Sequence, residues 1–120
     1  MTTKTAIPQS CKGDYLKELD IAVTVCTTLG EVIYQNLKSE EVNGKVLGKN
    51  LKDCHSPSSW EKIQEMLATG SSNTYTISKK GQEKLIRQQP WLKNGQIMGL
   101  IEFSIILPSR AEELKHYNRS

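Results

Sequence analysis

Val46-Leu-Gly-Lys-Asn-Leu-Lys-Asp-Cys-His-Ser-Pro-Ser-Ser-Trp-Glu-Lys-Ile-Gln-Glu-Met-Leu-Ala-Thr-Gly70 changes character at its middle. The first half, to Cys54, reads as a connector with Leu47 and Leu51 anchored inward. The second half reads as an amphipathic helix. Trp60, Ile63, Met66 and Leu67 fall on one face, and Glu61, Lys62 and Glu65 on the other. Pro57 suits the first helical turn, where its missing N–H would have no intrahelical partner anyway. Ser58 and Glu61 have the spacing of a capping box, and Gly70 is placed to end the helix.

Upstream of this stretch the period is two. Ile21, Val23 and Val25 alternate with Ala22, Thr24 and Cys26, which predicts a strand over Asp20–Thr27. Thr28-Leu29-Gly30 turns the chain into a second short strand, Glu31–Gln35. Asn36–Gly44 has room for one or two helical turns closed at Asn43-Gly44. Earlier still, Tyr15, Leu16 and Leu19 have helical spacing, so residues 10–19 read as a cap helix. Residues 1–9, with Pro8, read as a flexible arm.

Downstream, three strands are expected: Asn73–Lys79, Lys84–Leu92 and Gln96–Leu107. Lys80-Gly81 joins the first two, and Asn94-Gly95, a strong hairpin signal, joins the last two. The last strand is the most apolar and is expected at the centre of the sheet. Ser109 and Glu112 could cap a short helix in a 109–120 tail. The fold class is therefore α+β, a five-stranded antiparallel sheet with helices packed on one face.

At 120 residues, 37% hydrophobic and 24% charged, the chain has the make-up of one ordinary globular domain, here 10–108. Its net charge of +3 comes from Lys and Arg interspersed with Asp and Glu. No basic stripe forms, and no nucleic-acid partner is expected. The apolar run Ile105-Ile106-Leu107 is far shorter than the roughly 18 residues of a membrane helix. Met1–Ser10 has no apolar signal core, so a cytoplasmic location is expected. Cys11, Cys26 and Cys54 lack paired spacing, which fits a reducing compartment. Neither Cys-x-x-Cys nor His-x-x-x-His occurs, so no zinc site is expected.

The order of elements resembles a PAS domain, and local residues agree. Ile21-Ala-Val-Thr-Val-Cys-Thr-Thr-Leu-Gly-Glu-Val-Ile-Tyr-Gln-Asn36 is similar to the family's opening hairpin, with the turn glycine and the asparagine after the second strand. Val46-Leu-Gly-Lys-Asn-Leu51 resembles its connector. Trp91-Leu-Lys-Asn-Gly-Gln-Ile-Met-Gly99 resembles its last hairpin, with Gly99 at the usual glycine. Asp53-Cys-His-Ser-Pro-Ser58 resembles a variety found in bacterial and archaeal sensors, with Cys-His-x-Pro-x-Ser before the long helix. The resemblance covers about Tyr15 to Leu107. It implies a prokaryotic sensory or regulatory module that binds a small ligand or a protein partner and signals by conformational change or dimerisation. A homodimer through residues 10–19 and the outer sheet face follows from the same resemblance.

The candidate pocket residues are Cys54, His55, Trp60, Ile63, Arg87 and Gln89. His55 could ligate haem iron or bond a ligand, or simply tie down the helix start through backbone hydrogen bonds. Haem-binding relatives usually take their histidine from within the long helix, where Ile63 stands. Cys54 could be a thiolate activated by a helix N-terminus, but reads more simply as a small buried residue. Flavin is not expected, since Leu51 holds the position of the reactive cysteine in flavin-binding relatives. Arg87 and Gln89 share a strand face with Leu85 and Trp91. Facing inward they would line a pocket, with Glu102 as a partner; facing outward they are ordinary solvated residues, which suits Arg87 better. Trp60 and Trp91 read as core or dimer-contact residues. Besides the small-ligand sensor, two alternatives follow: a haem-based gas or redox sensor using His55, and a ligand-free dimerisation scaffold. Paired carboxylates, a nucleophile triad and a phosphate-cradling loop cannot be placed, so no enzymatic activity is expected.

Overall fold

Residues 14–109 and 113–120 are described by the computed structural model. The elements run β1 (Ala22–Thr27), β2 (Val32–Gln35), α1 (Leu37–Asn43), α2 (Leu51–Cys54), α3 (Pro57–Thr69), β3 (Asn73–Lys79), β4 (Gln82–Lys93) and β5 (Gln96–Ile106). The strands form one antiparallel sheet in the order β2-β1-β5-β4-β3. β5 is central, as its apolar sequence predicts. β2 meets β5's other neighbour β1 through a tight turn at Gly30, and β4 and β5 are joined at Asn94-Gly95, both at positive φ.

Side chains alternate across the sheet, so two faces can be read from the register. Cys26 and Leu100 point inward and form the core with Ile63 and Met66 of α3, flanked by Leu51, Trp60 and Leu67. Val25, Ile101, Phe103, Ile105 and Leu85 have the opposite parity and make an apolar, half-buried outer face. Trp91 lies on that outer side and donates its indole N–H to the Cys26 carbonyl at 3.3 Å. Gly99 sits beneath it. A Cβ there would lie 1.9 Å from the Cys26 carbonyl oxygen, a closeness that excludes every other residue.

The helix layer is held to the sheet by Asn36, which is 0% exposed. Its Oδ1 accepts from the Val23 N–H at 2.9 Å and the Ser39 N–H at 3.0 Å. Its Nδ2 donates to the carbonyls of Leu16 at 2.8 Å and Ile21 at 2.7 Å. One side chain thus caps α1, pins β1 and holds the segment before it.

Several expectations are corrected. Residues 14–19 form turns rather than a cap helix. The Leu16 carbonyl is taken by Asn36 and the Lys17 carbonyl by the Leu37 N–H, so tertiary bonds use the acceptors a helix needs. Residues 1–9, 10–13 and Glu112 of the proposed tail helix lie outside the described residues, and residues 115–120 carry no regular structure. Leu47 is 61% exposed rather than anchored. The end of the connector folds as α2, which at four residues is too short to show a period. α3 is capped by Ser56, whose Oγ accepts from the Ser59 N–H at 3.3 Å, two residues ahead of the Ser58–Glu61 pair.

Asn36→Ala is expected to cost roughly 3–4 kcal/mol in urea unfolding, since it removes four bonds and strands buried partners. Asn36→Asp should cost a similar amount because a carboxylate cannot donate to the Leu16 and Ile21 carbonyls. A loss below about 1 kcal/mol in both would show that other contacts join the two layers.

Candidate functional site

One cross-strand row decides the chemistry of the inner face. Thr24 faces Glu102, Glu102 faces Gln88, and Gln88 faces Asn73, so four polar side chains cross β1, β5, β4 and β3 in register. Asn73 Nδ2 donates to Gln88 Oε1 at 3.3 Å, and Gln88 Nε2 donates to Glu102 Oε2 at 2.8 Å. At the other end the Thr24 and Ser39 hydroxyls are 2.6 Å apart. The neighbouring row, Cys26 and Leu100, is the apolar one that α3 covers.

Above the polar row the helices leave a cavity of about 220 Å3. Val46, Leu51, Ile63 and Leu100 give it apolar walls, and Thr24, Gln88, Glu102 and Asn43 give it a polar side. The segment that brings Val46 to its wall is anchored by Gln35. That amide donates to Ser39 Oγ and the Gly44 carbonyl, each at 2.9 Å, and accepts from the Val46 N–H at 2.8 Å. Two further hollows adjoin it. One of about 470 Å3 opens past His55, Lys62 and Tyr75, and one of about 130 Å3 lies between α1 and β3–β4. Glu102 lines all three.

His55 stands on the cavity rim with Nδ1 3.0 Å from the Leu51 carbonyl. A carbonyl only accepts, so Nδ1 carries the proton and Nε2 is left with a free lone pair. The backbone tie expected from the sequence is present, and the ring still borders the cavity. Ile63 is buried in the cavity wall. Cys54 borders the cavity too, but it is exposed and ends α2 rather than opening a helix, which corrects its reading as a buried residue.

The other candidates lie elsewhere. Arg87 and Gln89 face outward: Arg87 Nε donates to Gln89 Oε1 at 3.1 Å and its Nη1 to Thr74 Oγ1 at 2.7 Å. Gln88, one residue away, has the inward parity and is the partner of Glu102. Trp60 packs over Gly30 and Asn50 and does not reach the cavity. Thr24, Gln88 and Asn43 were missed. The register alone shows Thr24 and Gln88, because a run of three polar residues carries no amphipathic signal, and Asn43 comes in at the end of α1.

Electrostatics follow from burial and from Glu102. Burial pushes the Cys26 thiol up from its ordinary value, and the Glu102 charge adds to this while a Leu100 backbone bond opposes it. Burial raises Tyr75 as well, again with a contribution from Glu102. Both groups are thus held neutral across the physiological range.

No family model matches the chain, and no curated protein matches it in sequence. Solved structures do share its fold. A C-terminal domain from Streptococcus mutans superposes with a TM-score of 0.70 at 16% identity, covering 95% of this chain and 98% of that one. The PAS domain of Bordetella pertussis BvgS gives 0.56 at 18% identity, covering 88% and 90%. The Vibrio cholerae VqmA dimer gives 0.63 at 16% identity over 85% of this chain and 52% of that one, and its description refers to target DNA. A further VqmA structure is bound to DPO, with a TM-score of 0.62 at 17% identity over 88% and 61%. The fold is the PAS fold, a five-stranded antiparallel sheet with helices on one face. Among the described residues no helix is long and apolar enough to cross a membrane.

The raised Cys26 and Tyr75 values fix a pH dependence. Each acid has a higher folded than unfolded pKa, so the unfolded chain loses its proton first and stability falls as pH rises. Unfolding free energy should be level near neutrality and decline above about pH 9, where a free thiol begins to ionise, and further above about 10. Cys26→Ala should flatten the first part of that decline in urea titrations. An unchanged alkaline slope would show that the thiol does not contribute.

Proposed function

We propose that this chain is a sensory module that takes a small polar ligand in the inner cavity and passes on the resulting shift of the sheet. The observation that carries this reading is the Thr24–Glu102–Gln88–Asn73 row facing space that side chains do not fill. A ligand-free scaffold has no use for a carboxylate there, because burying polar groups costs stability unless they are bonded. VqmA, which shares the fold and is described as bound to DPO, supports the reading by analogy.

Haem fits less well. His55 has the tautomer a metal would require, but the cavity of about 220 Å3 lies below the roughly 300–1,000 Å3 of drug-sized sites, and the hollow of about 470 Å3 beside it is lined by Ser59, Lys62, Asn73, Gln88 and Glu102, a polar set for a porphyrin face. The Glu102 carboxylate also faces this space, where an apolar macrocycle would cut the oxygen that Gln88 does not bond off from solvent. Native mass spectrometry and an absorbance scan of freshly purified protein test both readings. A mass excess of a few hundred daltons or less without a Soret band is the expected outcome, by the size limit just given. A Soret band that disappears in His55→Ala would replace the small-ligand reading with the haem sensor.

The outer face supports the second half of the reading, a homodimer. Val25, Ile101, Phe103, Ile105 and Leu85 form a continuous apolar patch, and Tyr15, Leu16 and Leu19 are exposed on the segment that Asn36 holds against β1. Such patches mark interaction surfaces. VqmA, described as a dimer, has the same fold, and an RNA-binding light-oxygen-voltage receptor has it too, so the fold is no ground for excluding nucleic acid. Sedimentation should show a dimer that Phe103→Glu converts to a folded monomer. A wild-type monomer at all concentrations would place signal output on a different partner.

A further inference from the structure

Lys84 is 8% exposed, yet it makes no hydrogen bond or ion pair among the described residues. Its cross-strand neighbours on the inner face are Ile77 and Ile106, both aliphatic. No buried side-chain nitrogen or oxygen lacks a partner among those fully sealed from solvent, so the ammonium is not sealed but opens on the hollow of about 130 Å3 that it lines. Lysine can bury its stem while its ammonium reaches an opening, and here that opening is the hollow.

Glu102 has the mirror-image problem. Its cross-strand neighbours are Thr24 and Gln88, both neutral, and its one bonded oxygen receives only the Gln88 amide. Both ion pairs among the described residues involve Lys38. Lys84 and Glu102 therefore line one hollow without meeting, with the exposed Lys79 at its edge. Four residues of strand separate Glu102 from Ile106, the partner of Lys84, or about 14 Å between Cα atoms. Both side chains line the hollow that lies between them. Between them the hollow is bordered by Asn43, Ser104 and Tyr75, whose hydroxyl stays protonated and can donate.

We infer that the ligand is a compact zwitterion of amino-acid size held in this hollow, which shares Asn43 and Glu102 with the main cavity, its acid group on the Lys84 ammonium and its amine on the Glu102 carboxylate. The inference rests on the small-ligand reading above and specifies its chemistry. Such a ligand completes two charge-assisted bonds that the fold leaves open, and each end rejects the wrong charge. A simple carboxylate would satisfy Lys84 alone and meet Glu102 as a like charge. A simple amine would do the reverse.

Isothermal titration and thermal melts of the whole chain with glutamate, lysine, γ-aminobutyrate, acetate and butylamine test this. At least one zwitterion should bind and raise Tm, and acetate and butylamine should not. Lys84→Met and Glu102→Gln should each weaken that binding by about 30-fold or more, as removal of one partner of a desolvated charged contact does. Lys84→Arg, which keeps the charge, should retain it and guards against a variant that merely fails to fold. Binding of acetate equal to that of the zwitterions, or zwitterion binding indifferent to both variants, overturns the inference. A neutral ligand found by native mass spectrometry also overturns it while leaving the sensory reading intact. If no zwitterion binds and native mass spectrometry finds no co-purified molecule, both readings fall.

Discussion

A single buried amide sets the geometry on which the rest depends. Asparagine offers two acceptor lone pairs and two N–H donors, and Asn36 places all four. Two bonds go to β1 and the residue before it, one to the first turn of α1 and one to the Leu16 carbonyl. No other side chain of this size has that valence pattern. Ser39, whose backbone it caps, then carries the constraint onward through its hydroxyl to Thr24 and Gln35. Gln35 in turn holds Gly44 and Val46. A continuous polar chain thus runs from the edge of the sheet to the rim of the cavity, and it fixes how far α1 stands from the inner face.

The cavity is the remainder of a covering problem. α3 is the one long helix, and its Ile63 and Met66 seal the apolar row around Cys26 and Leu100. α1 and α2, at seven and four residues, cannot cover the adjacent row. That row is polar, so leaving it uncovered costs less than leaving aliphatic residues uncovered would. Short helices and a polar stripe are therefore two sides of one arrangement.

Much of the fold was legible from the sequence because its signals are local. Period two marked β1 and β3, turn residues and apolar runs marked the other strands, Asn94-Gly95 marked the last hairpin, and the Trp60–Leu67 stripe marked α3. The site was less legible because it depends on parity and register, which are not local. Arg87, Gln88 and Gln89 are three polar residues in a row, and only pairing with Glu102 reveals that the middle one faces in. Cys54 and His55 were found because of an unusual run before the helix. Lys84 carried no signal, since a lysine at a strand start reads as solvated until its aliphatic neighbours are known. Ser56 rather than Ser58 caps α3 for a similar reason: several serines satisfy the local rule, and tertiary context chooses among them.

β5 joins the two halves of the proposed function. Glu102 faces the cavity, and the residues on either side of it, Ile101 and Phe103, face the opposite side of the sheet. Adjacent residues of a central strand cannot move independently, because each is bonded to neighbours on both sides. A charge satisfied at Glu102 shifts the balance of forces on the same backbone that presents Phe103 to the outer surface. A ligand that draws Glu102 toward α1 therefore acts on the outer patch directly, through one strand, with no chain of intermediate side chains between the two faces. The bulge in β4 at Trp91/Leu92, next to the Gly99 contact, gives that end of the strand pair the one irregularity between β4 and β5. It lies beyond the apolar row on the side away from Lys84. The segment of β5 proposed to meet the ligand is thus regular, paired on both sides from Gly99 to Ser104 and continuous with the surface it would have to reshape.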